Sequence, residues 1–444
     1  MITEDYNHCN CSIPPKNLDD IRAIADIKIS ELTFEDCPNL LIFPDSFESC
    51  AGDIGKKVVC SVNSEGTMLC TNSIVGFIGR NNTHLSIHSR FAEACNEDFF
   101  LHYMLQRRAS INLLNLPHPT NEDDGLDLLL YLFPARLKKA INQGIFKQYT
   151  RYDHNDANAK GVINISKHIR NNVPFNGKIY YSTHEHSCDN AVTQLIRHTI
   201  EFIRKEKNYN FIISGDRDVR EAVQQVVDAT PSYSSRARRE IINRNLRPMV
   251  HPYYSEYAPL QRLCLQILRH EELKYGLNHD EIYGVLIDAA WLWEEYLAFL
   301  LDGKYVHYLK NGEKKFYLFK GGVQQVIPDY LSQDRSVVAD AKYIPLNKKD
   351  RYDYEEQATA IYYKTIAYMY RFSSKTAFLL YPHPDEATQK KYLTIETEQQ
   401  GTNGGSIIKL GLRIPSGCKD YSIFCERMRQ YEQEFIKQCD PSAL

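Results

Sequence analysis

The sequence has almost no excess charge: 53 Lys and Arg face 56 Asp and Glu, a formal net of −3 over 444 residues. A whole-chain field for nucleic acid is thereby excluded, and any such contact must come from a local basic surface. Apolar runs long enough to span a bilayer are missing as well. The N-terminal MITEDYNHCN is too acidic and polar for a secretory signal, so a cytoplasmic chain without a membrane partner is expected. Paired CxxC spacing is absent: the twelve cysteines are scattered, and CNC at Cys9 to Cys11 has no second pair. Reduced thiols, neither a disulfide scaffold nor a zinc site, are therefore expected. A phosphate loop is missing too. GDIGKKV has Cys50 where the first glycine would stand and Lys57 where Ser or Thr is needed, so the chain carries no nucleotide motor of its own. There is no internal repeat and no low-complexity tract.

What is present is ordinary globular material, with 43% hydrophobic and 25% charged residues, enough for two or three domains. Residues 1–55 are proline-dotted and read as an irregular lead-in. From Lys56 to Ile87, short β-type runs (KKVVCSV, TMLCTN, IVGFIG, HLSIHS) alternate with polar turns and predict a small antiparallel sheet. Helices are expected over Asn96 to Ala109 and Leu126 to Tyr149, which completes a β-rich then helical region, 56–160. The next region, 161–275, opens with a strand, polar turn and strand over Gly161 to Ser187. An amphipathic helix from Asp189 to Glu206 and further helices follow. The last region, 276–444, reads as helix (DAAWLWEEYLAFLL), strand (KKFYLFK), β-hairpin, long helix, buried strand (KTAFLLYP) and strand (SIIKLGLRIP). That order predicts an α/β domain with a mixed sheet flanked by helices, after an N-terminal α+β part.

The hairpin carries the chemistry. IPDYLSQDRSVVADAKYIPL, Ile327 to Leu346, places Asp329, Asp340 and Lys342 inside apolar β runs. Buried charges need partners. Residues two apart on a strand share a face, so Asp340 and Lys342 project together, and Asp329 on the preceding strand can come opposite them. Converging carboxylates, with carbonyls and water, make an oxygen site for Mg²⁺, with Mn²⁺ as a substitute. Such an ion stabilises charge on a phosphate, and the neighbouring lysine can orient the attacking water. This is the pattern of a PD-(D/E)xK nuclease, and Glu294 on the preceding helix can supply a third carboxylate. The bland counterpart is a surface hairpin with a solvated Asp340–Lys342 ion pair; the apolar context argues against it.

Other clusters are weaker. THEHSCD offers His184, His186, Cys188 and Asp189 as zinc ligands, but lacks a second cluster and reads as a polar loop. The arginines Arg236, Arg238, Arg239, Arg244 and Arg247 suit a phosphate backbone or a solvated helix face equally well. Lys348 and Lys349, in NKKDR directly after the hairpin, are better placed to meet DNA near a cut.

With these motifs placed, the chain resembles the McrC family, the nuclease subunits of McrBC-type restriction systems. WLWEEYL is similar to the family's Leu-Phe-Glu helix, with Glu294 rather than Glu295 at the acidic position. IPDYL and VVADAKYIP are similar to its Asp and Asp-Ala-Lys-Tyr hairpin, and FLLYP to its following strand. VGFIG, HLSIHSRF and GVINISKHIRNN share its cadence upstream, so that most of residues 55–420 is covered. One departure concerns the helix after the hairpin: YYKTIAYMY has Lys364 where such nucleases often carry glutamine, with Tyr368 kept. Lysine can contact a phosphate but cannot accept a hydrogen bond.

The resemblance implies a Mg²⁺-dependent endonuclease subunit. Asp329, Asp340 and Glu294 would hold metal, Lys342 would position water, and Lys364 and Tyr368 would lie near the DNA. It implies a partner, an AAA+ GTPase hexamer of the McrB type, which reads modified DNA, translocates it and consumes the GTP. The 56–160 region, above all the Lys56 to Ile87 segment, is the expected docking part. Two alternatives are a silent regulator of the GTPase ring and a stand-alone nuclease of the same fold.

Overall fold

The computed structural model describes residues 1–32, 37, 39–44, 57–81, 83–92, 98–108, 124–205, 209–274, 282–307, 316–344, 353–384, 390–396 and 404–441. The chain divides into two compact units, one built from residues 1–131 and 272–444, the other from residues 132–271.

Two mixed sheets organise the first unit. The five-stranded sheet has the order Ile2–Glu4, Thr83–His88, Ile74–Arg80, Ile282–Asp288, Asn39–Phe43. Residues 1–55, expected to be an irregular lead-in, thus supply an edge strand at either side, each paired in parallel with its neighbour. The expected single sheet over Lys56 to Ile87 is divided. Cys60–Val62 and Met68–Thr71 join Cys11–Ser12 in a separate three-stranded sheet, while the next two strands enter the five-stranded one. Gly76 and Gly284 allow the central strands to approach. A Cβ on Gly76 would sit 2.1 Å from Val285 O, and one on Gly284 2.2 Å from Phe77 O, both at positive φ. The helix Ala289–Leu300 follows directly, capped by Asp288, whose Oδ1 accepts from Ala290 N at 2.9 Å. Lys57, the last lysine of the failed phosphate loop, pairs with the other Asp288 oxygen at 3.0 Å.

The second sheet is the mixed sheet expected for the C-terminal region. Its order is Tyr305–His307, Tyr330–Ser332, Val337–Ala341, Thr376–His383, Ser406–Arg413, Lys390–Thr394. The three middle pairings run antiparallel, parallel and parallel. All five residues of Val337–Ala341 are buried, as a strand covered on both faces requires. Tyr368, Met369 and Phe372 of the helix Asp353–Phe372 pack on one face with Leu331, Val338, Leu379 and Ile407. The run KKFYLFK contributes Phe316–Phe319, which pairs with Val323–Val326 as a small hairpin of its own.

Thiol chemistry departs from expectation. Cys9 and Cys70 form a disulfide, since the CNC turn lies beside the Met68–Thr71 strand. Eight other described cysteines form no disulfide. Among the described residues, no helix is long and apolar enough to cross a membrane.

In the second unit, Gln148–Asp156, Ile179–Ser187 and Val162–Ile163 form an antiparallel sheet. The expected polar turn between the strands of Gly161 to Ser187 is a helix, Ile165–Asn172, because Asn164 Oδ1 caps it by accepting from Lys167 N at 3.1 Å. The amphipathic helix runs Ala191–Lys205, with Asn190 Oδ1 accepting from Val192 N and Thr193 N. Arg238–Arg244 and Tyr257–Lys274 are among the helices that follow.

Candidate metal and phosphodiester site

The hairpin register brings the two aspartates together. Tyr330 stands opposite Ala339 and Leu331 opposite Val338, so Asp329, one residue before Tyr330, falls opposite Asp340. Asp329 Oδ2 accepts from Ala341 N at 2.6 Å, which locks its side chain across the strand. Asp340 is fully buried. Its charge is offset by two ammonium groups: Lys342 in direct contact, and Lys364 with Nζ 3.7 Å from Oδ1.

Glu294 comes from the helix that follows the five-stranded sheet. Tyr330 OH donates to its backbone carbonyl, and the neighbouring Trp293 Nε1 donates to Leu380 O at 3.3 Å. These bonds fix the helix against the hairpin and the neighbouring strand Thr376–His383. Of the acidic pair, Glu294 feels the charges of the hairpin aspartates: burial raises its pKa well above the ordinary carboxyl range, and the charges of Asp329 and Asp340 add to this. Burial and the Asp340 charge likewise push Asp329 up to about 7. Burial works against the Asp340 carboxylate also, yet Lys342 and Lys364 hold its pKa below the usual value. The same carboxylates outweigh burial at Lys342 and Lys364 and hold both as ammonium ions.

Three acids at a buried point, repelling one another and only partly neutralised, are suited to a hard divalent cation by donor type. The opposition of two buried aspartates, Asp329 and Asp340, across the hairpin is the strongest sign of this fit. Among the described residues, however, no three His, Cys, Asp or Glu side chains are gathered closely enough to form a ready ligand set. Asp329 and Asp340 make a pair, with Glu294 within electrostatic reach.

The remaining expected residues are distributed differently. Tyr368 is buried, and its hydroxyl donates to Ile327 O at 2.8 Å, so it braces the hairpin from beneath. Lys348 and Lys349 lie outside the described residues. His184 and His186 sit on the strand Ile179–Ser187 rather than in a loop. Sequence reasoning missed the support behind Lys342. Tyr343 hydrogen-bonds Ser89 Oγ at 2.7 Å, and the Arg90 guanidinium lies 5.4 Å from its ring. Arg90 in turn pairs with the buried Asp5. Only the tyrosine after Asp-Ala-Lys signals this in the sequence.

A mixed α/β protein with a buried acid and lysine site on a β-hairpin is the class these observations define. The profile of the McrBC 5-methylcytosine restriction system component family matches residues 69–382, and the chain belongs to that family. Two solved structures from Thermococcus gammatolerans are similar. One is a half-complex from a tetradecameric assembly of McrB AAA+ hexamers with bound McrC, at 16% identity and a TM-score of 0.38, covering 84% of this chain and 85% of that one. The other is the McrBC complex, at 14% identity and a TM-score of 0.30, covering 68% of this chain and 86% of that one. Comparison with curated proteins finds no match.

Proposed function

We propose that this chain is the DNA-cutting subunit of a McrBC-type restriction system, a PD-(D/E)xK endonuclease that works in the cytoplasm with an McrB-type AAA+ GTPase hexamer. The observation that carries the reading is the Asp329–Asp340–Lys342 constellation: two aspartates opposed across a hairpin, the second buried and in contact with the lysine. Asp329, Asp340 and Glu294 are the residues to hold Mg²⁺ or Mn²⁺. When bound, that ion offsets the charge developing on the phosphate under attack. Lys342, kept protonated by its acidic neighbours, acts as a fixed positive charge that orients water or a phosphate oxygen; it is no proton acceptor. The Tyr343–Ser89 bond and the Lys342 N to Leu380 O bond, 2.8 Å, hold the segment in place.

Membership of a restriction-system family supports modified DNA as substrate and a GTPase as partner. We place the docking surface on the second unit, where Val162, Ile163, Ile165, Ile169, Val173 and Phe175 are all exposed. The Lys56 to Ile87 segment suits docking less well, because its longest strand, Ile74–Arg80, lies mid-sheet and is largely buried.

The test is cleavage of 5-methylcytosine DNA with GTP, Mg²⁺ and the partner. Asp340→Asn and Lys342→Ala are each expected to abolish cutting while partner binding persists. Unchanged cutting in either variant would refute the assignment. The alternative is a non-cutting regulator of the ring. In that case GTP hydrolysis is stimulated without strand scission at any Mg²⁺ or Mn²⁺ concentration.

A further inference from the structure

The arginine cluster that the sequence left undecided is divided by the second unit. Arg238 is spent structurally: its Nη2 donates to Leu268 O at 2.6 Å, and its guanidinium lies over Phe202. Arg244 and Arg247 instead line a cavity of ≈ 450 Å³, together with Lys147, Tyr149 and His186. No carboxylate lines it. Glu240 stands 3.8 Å from Arg244 in a solvent-exposed pair, which is weak.

The cavity is built in advance. Gln261 is buried beneath it, accepts from Met249 N at 2.8 Å, and donates to Asn245 Oδ1 at 2.9 Å. The segment carrying Arg247 is therefore pinned at both ends. On the other wall, Phe146 N donates to Tyr257 OH at 3.1 Å, which anchors the residue before Lys147. At the mouth, Tyr149 and His186 stack with ring centroids 5.0 Å apart, and Tyr149 is 72% exposed, so its ring offers an open face.

Three cations around a concave surface, with an open aromatic face beside them, match a phosphate joined to a flat ring. We infer that this cavity is a nucleotide-binding site, with Lys147, Arg244 and Arg247 meeting phosphate and Tyr149, backed by His186, stacking on the base. The site is separate from the hairpin residues and does not depend on the nuclease reading. A single-stranded nucleic acid or a free nucleotide supplies the same chemistry.

The experiment uses the full chain in EDTA, so that no cleavage enters, with a fluorescein-labelled single-stranded dT 12-mer read by anisotropy and GMP as competitor. Lys147→Ala with Arg247→Gln is expected to weaken binding at least tenfold. It should also reduce the slope of log K against log salt by about 1.4, since each lost phosphate contact removes about 0.7. Tyr149→Ala is expected to weaken binding about tenfold with the slope unchanged. Displacement by GMP, with the same sensitivity to the variants, identifies the free nucleotide as the ligand; failure to displace identifies the strand. Variants with wild-type melting temperatures that bind both probes as the parent does would overturn the assignment. So would a parent chain that binds neither probe.

Discussion

Lys364 Nζ, on the helix Asp353–Phe372 that follows the hairpin, stands 3.7 Å from Asp340 Oδ1. Lys364 is half exposed and Lys342 largely buried, so of the two cations only Lys364 has an open route outward. Three acids and two lysines sum to one negative charge when all are ionised, and a divalent ion entering beside both lysines would overshoot neutrality. Swinging Lys364 out restores the balance. Lys364→Gln is therefore expected to bind Mn²⁺ several-fold more tightly than the parent, read by calorimetry, because no ammonium must be displaced. Equal or weaker binding in that variant would show that Lys364 does not compete with the ion.

Behind the hairpin, Asp5 is fully buried and accepts from both the backbone and the guanidinium of Arg90, which also lies 4.4 Å from the Tyr6 ring. Removing one partner of a buried pair strands the other's charge, which costs about 3–5 kcal/mol. Asp5→Ala is expected to lower unfolding stability by that order in urea titration. Tyr343→Phe should cost only about 1 kcal/mol, since it loses one hydrogen bond to Ser89. A loss below 1 kcal/mol in Asp5→Ala would mean that Arg90 finds water or another acid.

The hairpin aspartates and Lys342 were legible because strand periodicity is local: a period of two and one turn suffice to bring them together. The helix that carries Glu294 was legible through its apolar run. The Asp5–Arg90 pair and the Tyr343–Ser89 bond were not, because 85 and 254 residues separate the partners and no pattern within a window connects them. The helix Ile165–Asn172 was read as a turn because its isoleucines face outward and give no buried stripe, so its Asn164 cap resembled turn chemistry. The basic cavity was half visible: the arginines were conspicuous, but Lys147 and Tyr149 lie nearly a hundred residues earlier, and only the tertiary fold joins them.

In the second unit, His198 is buried against Tyr233 with no hydrogen bond to Nε2. Burial, then the charges of Arg238 and Arg197, lower its pKa to about 4, and the charge of Glu201 only partly opposes this. In the unfolded chain the group titrates near 6.5. Above that pH both states are neutral there and stability is unaffected. Between 6.5 and 4 the unfolded chain takes up the proton first, so stability falls with falling pH. His198→Asn is expected to remove about 1 kcal/mol of the acid-side loss at pH 5, allowing for solvent screening. Parallel melting curves for the two proteins between pH 7 and pH 5 would contradict the buried neutral state.

The Cys9–Cys70 bond closes a loop of 61 residues across the N-terminal strands. Restricting a loop of that length in the unfolded chain stabilises the native state by about 4 kcal/mol in the chain-entropy view. Reduction, or Cys70→Ser, is therefore expected to shift the urea midpoint of the first unit downward while leaving that of the second unit in place. Alkylation under non-reducing conditions should spare Cys9 and Cys70 and should modify Cys11, which is partly exposed and free. Cytosolic thiol buffers oppose such a bond, so the chain drawn from a reducing compartment should carry the lower midpoint and regain the higher one on oxidation. Labelling of both Cys9 and Cys70 in air-oxidised protein would remove the bond from the account of stability and leave the sheet pairing of Cys11–Ser12 with Met68–Thr71 to hold the N-terminal turn alone.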